Sequence, residues 1–270
     1  VALVLMAVAV GASRWQVPTP GRAAGSGHVT TRRPPAALDL RTPFAGTPAA
    51  DWPEGSDGIR LLPAAAVGDH AAAQVAQAMA QVKQLLVAAH LDDEIRTTHD
   101  PDGYLALLAP NSRARERAGI AGDRDPDEGG EITLFATGFH LLPTPVRVTG
   151  SMTVSTDGLD RLTVHTNYVY AFAFAPADPL RITQPWQIVA VQHVVEDVTV
   201  VAGSRYRAAD RGLWVTSSRS YDESTACSAS RHGYLAPADS DPGADTATRG
   251  DPAPFYDPDH PVDVTATCPT

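Results

Sequence analysis

The chain has 270 residues, with 21 Lys and Arg against 31 Asp and Glu, for a formal net charge of −10. Lys83 is the only lysine and the arginines are scattered, so no basic cluster is present to displace counterions from phosphates, and nucleic acid is excluded as a partner. The 23 Pro and 21 Gly gather toward the two ends, leaving one domain of ordinary size in the middle, long enough to bury a core without metal or disulfide help.

The first 13 residues, Val1 to Ser13, are apolar and carry no charge before Arg14. A spanning helix needs about 20 apolar residues. The segment is therefore expected either to be part of a single-pass membrane anchor or to be the apolar core of a signal peptide, with Ala7-Val8-Ala9 as a cleavage site. Both readings place the rest of the chain outside the cytoplasm, at or near the cell membrane. Residues 14–60 lack apolar periodicity and contain Val17-Pro18-Thr19-Pro20 and Arg33-Pro34-Pro35. This composition predicts an extended Pro/Gly-rich spacer.

A folded domain is expected over residues 61–225. After Gly68, Val75, Met79, Val82 and Leu86 recur at helical spacing, with Ala72, Ala78 and Leu85 widening the stripe. This predicts a helix capped by Asp69 that packs on a sheet. A second helix is expected from Asp100, with Pro101 in its first turn, apolar Tyr104, Leu105, Leu107 and Leu108, and Pro110 as its stop. A short polar helix is expected over Ser112 to Ala118, ended by Gly119.

From residue 131 the apolar period becomes two. Val146, Val148, Met152 and Val154 alternate with polar residues up to a hairpin signal at Asp157-Gly158. The return run carries Leu162, Val164, Tyr168, Tyr170, Phe172 and Phe174. A third run, Trp186 to Val201, is apolar on both faces, and a fourth spans Leu213 to Tyr221. Strands this long twist, so the expected class is α+β: N-terminal helices packed on a long, curved antiparallel β-meander. Residues 226–270 form a loop-rich tail holding both cysteines, Cys227 and Cys268. Outside the cytosol two cysteines are expected to join, closing a loop of ~40 residues worth about 4 kcal/mol in chain entropy.

The element order, together with Phe44 to Pro53, Lys83 to Ala89, Leu105 to Pro110, Gly150 to Val154 and His165-Thr166-Asn167-Tyr168, resembles a group of uncharacterised actinobacterial membrane-anchored exported proteins. The resemblance spans roughly residues 40–270 and implies no activity. The order alone also resembles the NTF2-like (cone-shaped α+β) superfold, which implies a pocket inside the curved sheet.

Motifs for chemistry are sparse. Neither Gly-x-Ser-x-Gly nor His-Glu-x-x-His occurs, and Gly25-Ser26-Gly27-His28 lies in the spacer. Asp123, Asp125 and Asp127 have the alternate spacing of a calcium loop, but Glu128 stands where that loop needs Gly and Leu134 where it needs Glu. Asp239, Asp241 and Asp245 form a second acidic stretch, and Arg249-Gly250-Asp251 is a chance tripeptide in the tail. On a strand, His193 and Asp197 would share one face while Glu196 points to the other. His165, Asn167 and His193 are the residues that strand pairing could bring together as a ligand site, on a face that alternation makes polar and outer. The opposite, aromatic face of Tyr168, Tyr170 and Phe172 is the better pocket or core. No cofactor is expected. The leading expectation is a non-enzymatic envelope module that binds a protein or ligand, with an envelope protein as partner. The alternative is a small-molecule-binding or isomerase-like enzyme.

Overall fold

The computed structural model describes residues 36–121, 132–157, 161–241, 252–263 and 268. The N-terminal apolar segment, the first part of the spacer, Asp123, Asp125, Asp127, Asp245 and the Arg249-Gly250-Asp251 tripeptide lie outside them. Among the described residues no helix is long and apolar enough to cross a membrane.

The fold is α+β. Four antiparallel strands lie in sequence order: β1 (Arg147–Thr156), β2 (Arg161–Ala173), β3 (Val189–Val201) and β4 (Gly212–Glu223). Consecutive side chains alternate between the two faces, so the register decides what each face holds. Val148 pairs with Tyr170, which pairs with Gln192, which pairs with Asp222. The ladder between β3 and β4 shifts at Asp197/Val198, where Thr216 is the extra residue of a bulge. Gly150, inside β1, has φ +146, and a Cβ there would sit 2.1 Å from the Asn167 carbonyl oxygen and 2.6 Å from the Tyr168 ring. Only glycine lets β1 lie this close to Tyr168.

The inner face packs against α1 (Ala72–Leu91). Val75, Ala78, Met79, Val82, Leu85 and Leu86 meet Val148, Met152, Val164, Tyr168, Phe172 and Val194 in one apolar cluster. Each such fully buried aliphatic side chain contributes about 1.5–3 kcal/mol. The helix starts later than expected, and Asp69 does not cap it. Val67 and His70 exchange backbone hydrogen bonds, which puts Asp69 in a tight turn. Gln74 Oε1 instead accepts from the Ala71 N–H at 2.8 Å.

Three shorter helices follow: α2 (Asp93–Thr98), α3 (Asp102–Ala106) and α4 (Pro110–Ala121). Asp92 starts α2 by accepting from the Glu94 and Ile95 N–H groups, an element too short to show a period. Asp100 accepts from the Asp102 N–H at the start of α3, as the sequence suggests. Pro110 opens α4 rather than stopping the second helix, because a proline without N–H loses nothing in a first turn. Gly119 lies within α4 and does not end it.

Among the described residues the outer face is covered at one end. Val169, Ala171, Ala173, Val189 and Val191 form a second apolar cluster with Phe44, Ala49, Ile182, Ile188 and Tyr256. Residues 36–60 thus depart from the spacer expectation: Phe44, Ala49 and Ile59 are buried, and Arg147 donates to the Trp52 carbonyl at 2.8 Å and pairs with Glu54 at 3.0 Å. The segment packs through two 3-10 turns, which are too short to leave a periodic signal. Residues 252–263 form a strap over the same face.

The tail is loop-rich and closed by the Cys227–Cys268 disulfide. The short helix α5 (Cys227–Ser230) begins against Asp241, whose carboxylate accepts from the Cys227 N–H at 2.6 Å.

Candidate functional site

The two faces of the sheet hold separate polar clusters. On the inner face, His90 near the end of α1 is fully buried. Its Nδ1 lies 2.9 Å from Thr133 Oγ1. The Thr133 hydroxyl donates to Gln192 Oε1, and Gln192 Nε2 donates to Asp222 Oδ1 at 3.0 Å. A hydroxyl has one proton. Because Thr133 gives its proton to Gln192, it accepts from His90, so the ring carries hydrogen on Nδ1. This chain from β4 to α1 leaves His90 Nε2 facing inward, 4.0 Å from Glu196 Oε2, with side-chain exposures of 0% and 2%.

Glu196 also accepts from Ser218 at 3.2 Å. Tyr170 lies between His90 and Phe172, with ring centroids 4.8 Å and 6.3 Å away, and Tyr168 is 6.4 Å from Tyr170. The hydroxyls of Tyr104, Tyr168 and Tyr170, like His90 Nε2, are buried without a hydrogen-bond partner among the described residues. Burial pushes the Tyr104 and Tyr170 phenols well above their ordinary value, with the Glu196 charge the second cause. Burial alone takes Tyr168 to about 12. All three therefore stay O–H donors. Burial also pushes the Asp222 carboxyl up to about 6, opposed by the Gln192 hydrogen bond. Together these groups offer three donors, one imidazole base and one carboxylate, an arrangement able to hold and polarise a small polar molecule.

On the outer face, the expected trio divides. Asn167 pairs across the ladder with Val195, and His193 pairs with Val169, so the two are diagonal neighbours. His193 Nε2 still lies 2.6 Å from Asn167 Oδ1. Asn167 donates its other amide group to the Pro258 carbonyl at 2.9 Å, and Tyr221 donates to the Phe255 carbonyl at 2.8 Å. These two residues hold the strap. His193 is buried, and burial, followed by the nearby His260, pushes its imidazole down to about 4.

His165 stands apart from both. Its Nδ1 is 2.7 Å from Asp197 Oδ1, directly across the ladder. Its Nε2 is 2.7 Å from Ser155 Oγ on β1. The three lie beyond the strap, with His165 and Asp197 side chains 43% and 40% exposed and Ser155 exposed.

Among the described residues no group of three His, Cys, Asp or Glu side chains is placed to hold a metal, and Asp241 of the second acidic stretch serves as the α5 cap. An open groove of about 590 Å³ lies along the other side of α1, lined by Lys83, Gln84, Val87, Asp92 and Leu107 among others. It is separate from both polar clusters.

Sequence reasoning missed His90 and Glu196. His90 lies four residues beyond Leu86 on the same helical stripe, and Glu196 falls between Val194 and Val198 on the inward period of β3. In each case a polar residue at an apolar position was the available signal. No family model, curated protein or solved structure matches the chain.

Proposed function

We propose that the chain is an exported, membrane-anchored module that binds a small polar molecule on the inner face of its sheet, between α1 and the strands, in an NTF2-like arrangement. One observation carries this reading. Four buried polar atoms without partners, His90 Nε2 and the hydroxyls of Tyr104, Tyr168 and Tyr170, belong to the same inner core as Glu196. Folded proteins leave few such atoms unpaired, and each costs about 1–3 kcal/mol. Several in one core are better accounted for by an occupant that satisfies them than by chance.

The chemistry describes that occupant. Phenol donors call for an acceptor such as a carbonyl oxygen, and the imidazole lone pair calls for an O–H or N–H donor. Tight ring packing around Tyr170 restricts it to a few heavy atoms. A small hydroxy-carbonyl or amide has both functions. A proton could pass between such a molecule and His90 or Glu196, which leaves room for the isomerase-like alternative. The apolar first segment supports placing this module outside the cytoplasm at a membrane, with envelope proteins as its surroundings.

The test is a thermal-shift and NMR screen of the full chain with small hydroxyketones and cyclic amides. Binding that raises the melting temperature and is lost in Glu196→Gln and Tyr170→Phe is expected. A folded chain that binds none of them, with Tyr170→Phe melting higher than the parent, would mean that the cluster is only a packing defect.

A further inference from the structure

We infer that Ser155 is a nucleophile toward carboxylic esters, activated by His165 and Asp197 on the bare part of the outer sheet face. This site is independent of the inner cluster. It shares no residue with it and lies on the opposite side of β2 and β3.

Each ring nitrogen of His165 has the partner such a relay requires. The Asp197 carboxylate can only accept, so it holds hydrogen on Nδ1 at 2.7 Å. That tautomer leaves the lone pair on Nε2, which faces Ser155 Oγ at 2.7 Å. A serine hydroxyl is a weak nucleophile until a base takes its proton, and a base held by a third group performs that task. Here the three side chains come from three adjacent strands, with His165 and Asp197 opposite one another and Ser155 one diagonal away. Strands hold such geometry more tightly than loops do.

The reaction follows from these positions. Ser155 Oγ bonds to the ester carbonyl carbon, and its proton passes to His165 Nε2. The carbon–oxygen bond to the alcohol breaks, and the alcohol leaves with that proton. Water then attacks the acyl carbon, with His165 taking the water's proton; the bond between that carbon and Ser155 Oγ breaks, His165 returns the proton to Ser155, and the carboxylic acid leaves. Ser155 is exposed and the His165 and Asp197 side chains are 43% and 40% exposed among the described residues, so the substrate class is an accessible ester held by its own larger body. Exposure to water weakens stabilisation of the oxyanion in both steps; with an activated phenyl ester the phenolate leaves more readily than the serine oxygen, so the acyl-serine forms faster than it turns over.

Ser151 provides an internal control. It is exposed on the same face of the same strand and pairs with Asn167 rather than with a histidine. The full chain is treated with p-nitrophenyl acetate, and acetyl groups are located by peptide mass spectrometry. The expected result is acetyl on Ser155 in preference to Ser151, with a matching burst of nitrophenolate. His165→Gln should slow the labelling on the order of 100-fold. Asp197→Asn should slow it less, because His165 keeps its lone pair toward Ser155 but loses the carboxylate that holds hydrogen on Nδ1. A melting curve checks that both variants fold. Equal labelling of Ser151 and Ser155, no acetyl on Ser155, or labelling unaffected in a folded His165→Gln chain overturns the assignment. If a variant fails to fold, the comparison of the two serines in the parent chain decides alone.

Discussion

Glu196 and Asp197 are neighbours in sequence, point to opposite faces of β3, and meet histidines under opposite conditions. Glu196 faces His90 inside the core at 4.0 Å, with both side chains essentially inaccessible. Asp197 bonds to His165 at 2.7 Å, with both side chains about 40% exposed. Outside, water shares the solvation of the pair, so the bond costs little to make and adds little to stability. Inside, nothing but protein can satisfy the groups, and protein satisfies them incompletely. The buried pair is thus left incompletely bonded while its exposed neighbour is closely bonded, which is why the proposed ligand is assigned to the inner face and the proposed acyl transfer to the outer.

The largest effect comes from opening the covalent closure of the tail. Reducing the Cys227–Cys268 disulfide, or changing both cysteines to Ser, should lower stability by about 4 kcal/mol, read from denaturant unfolding. The inner cluster should keep its ligand response if the strap serves only the outer face. Loss of that response together with the bridge would show that the two faces are not independent.

A second test sets the faces against each other by pH. On the outer side, the His193 imidazole is pushed down to about 4 by burial and by His260. The unfolded chain then binds more protons than the folded one between about 4 and 6.5, so this contribution is present above 6.5 and is lost as pH falls through 4. On the inner side, the Asp222 carboxyl is raised to about 6. Its contribution is present below about 4 and is lost as pH rises through 6. Each is worth up to about 3 kcal/mol at 1.36 kcal/mol per unit. The two oppose one another in the same window, so the parent chain should have a shallow stability profile there. Asp222→Asn should unmask stability that rises from pH 4 to 6.5, and His193→Gln should unmask a fall. Parallel profiles for the two variants would reject the opposition.

The smallest effects come from the two neighbouring carboxylates themselves. Glu196→Leu fills the inner position with a side chain that needs no partner, and it should stabilise the chain by about 1–2 kcal/mol while abolishing ligand binding. Asp197→Leu should change stability by less than about 0.5 kcal/mol. A loss of several kcal/mol in Glu196→Leu would make the inner cluster a structural network rather than a binding site.

Much of the framework was legible in the chain itself. All four strands fall within a few residues of their alternating runs, and the α1 stripe from Val75 to Leu86 faces the core as its spacing requires. The opposite orientations of Glu196 and Asp197 also follow from a period of two. What these patterns do not report is partnership. His193 lies against Asn167, which holds the strap, and Glu196 faces a histidine in the core; alternation reports neither partner. The packing of residues 36–60 was hidden because 3-10 turns carry no period, and Asp92 was hidden because one turn of helix is too short to show one.

Local rules therefore determined the class of each element, the face each residue takes and the two cysteines available for pairing, because backbone geometry and side-chain polarity act over a few residues. Tertiary structure alone decided that His90, from a helix, meets Glu196, about 100 residues later, and that Ser155, His165 and Asp197 line up across three strands. Those meetings depend on strand register and on helix placement, which are set by the packing of the whole core and not by any one segment.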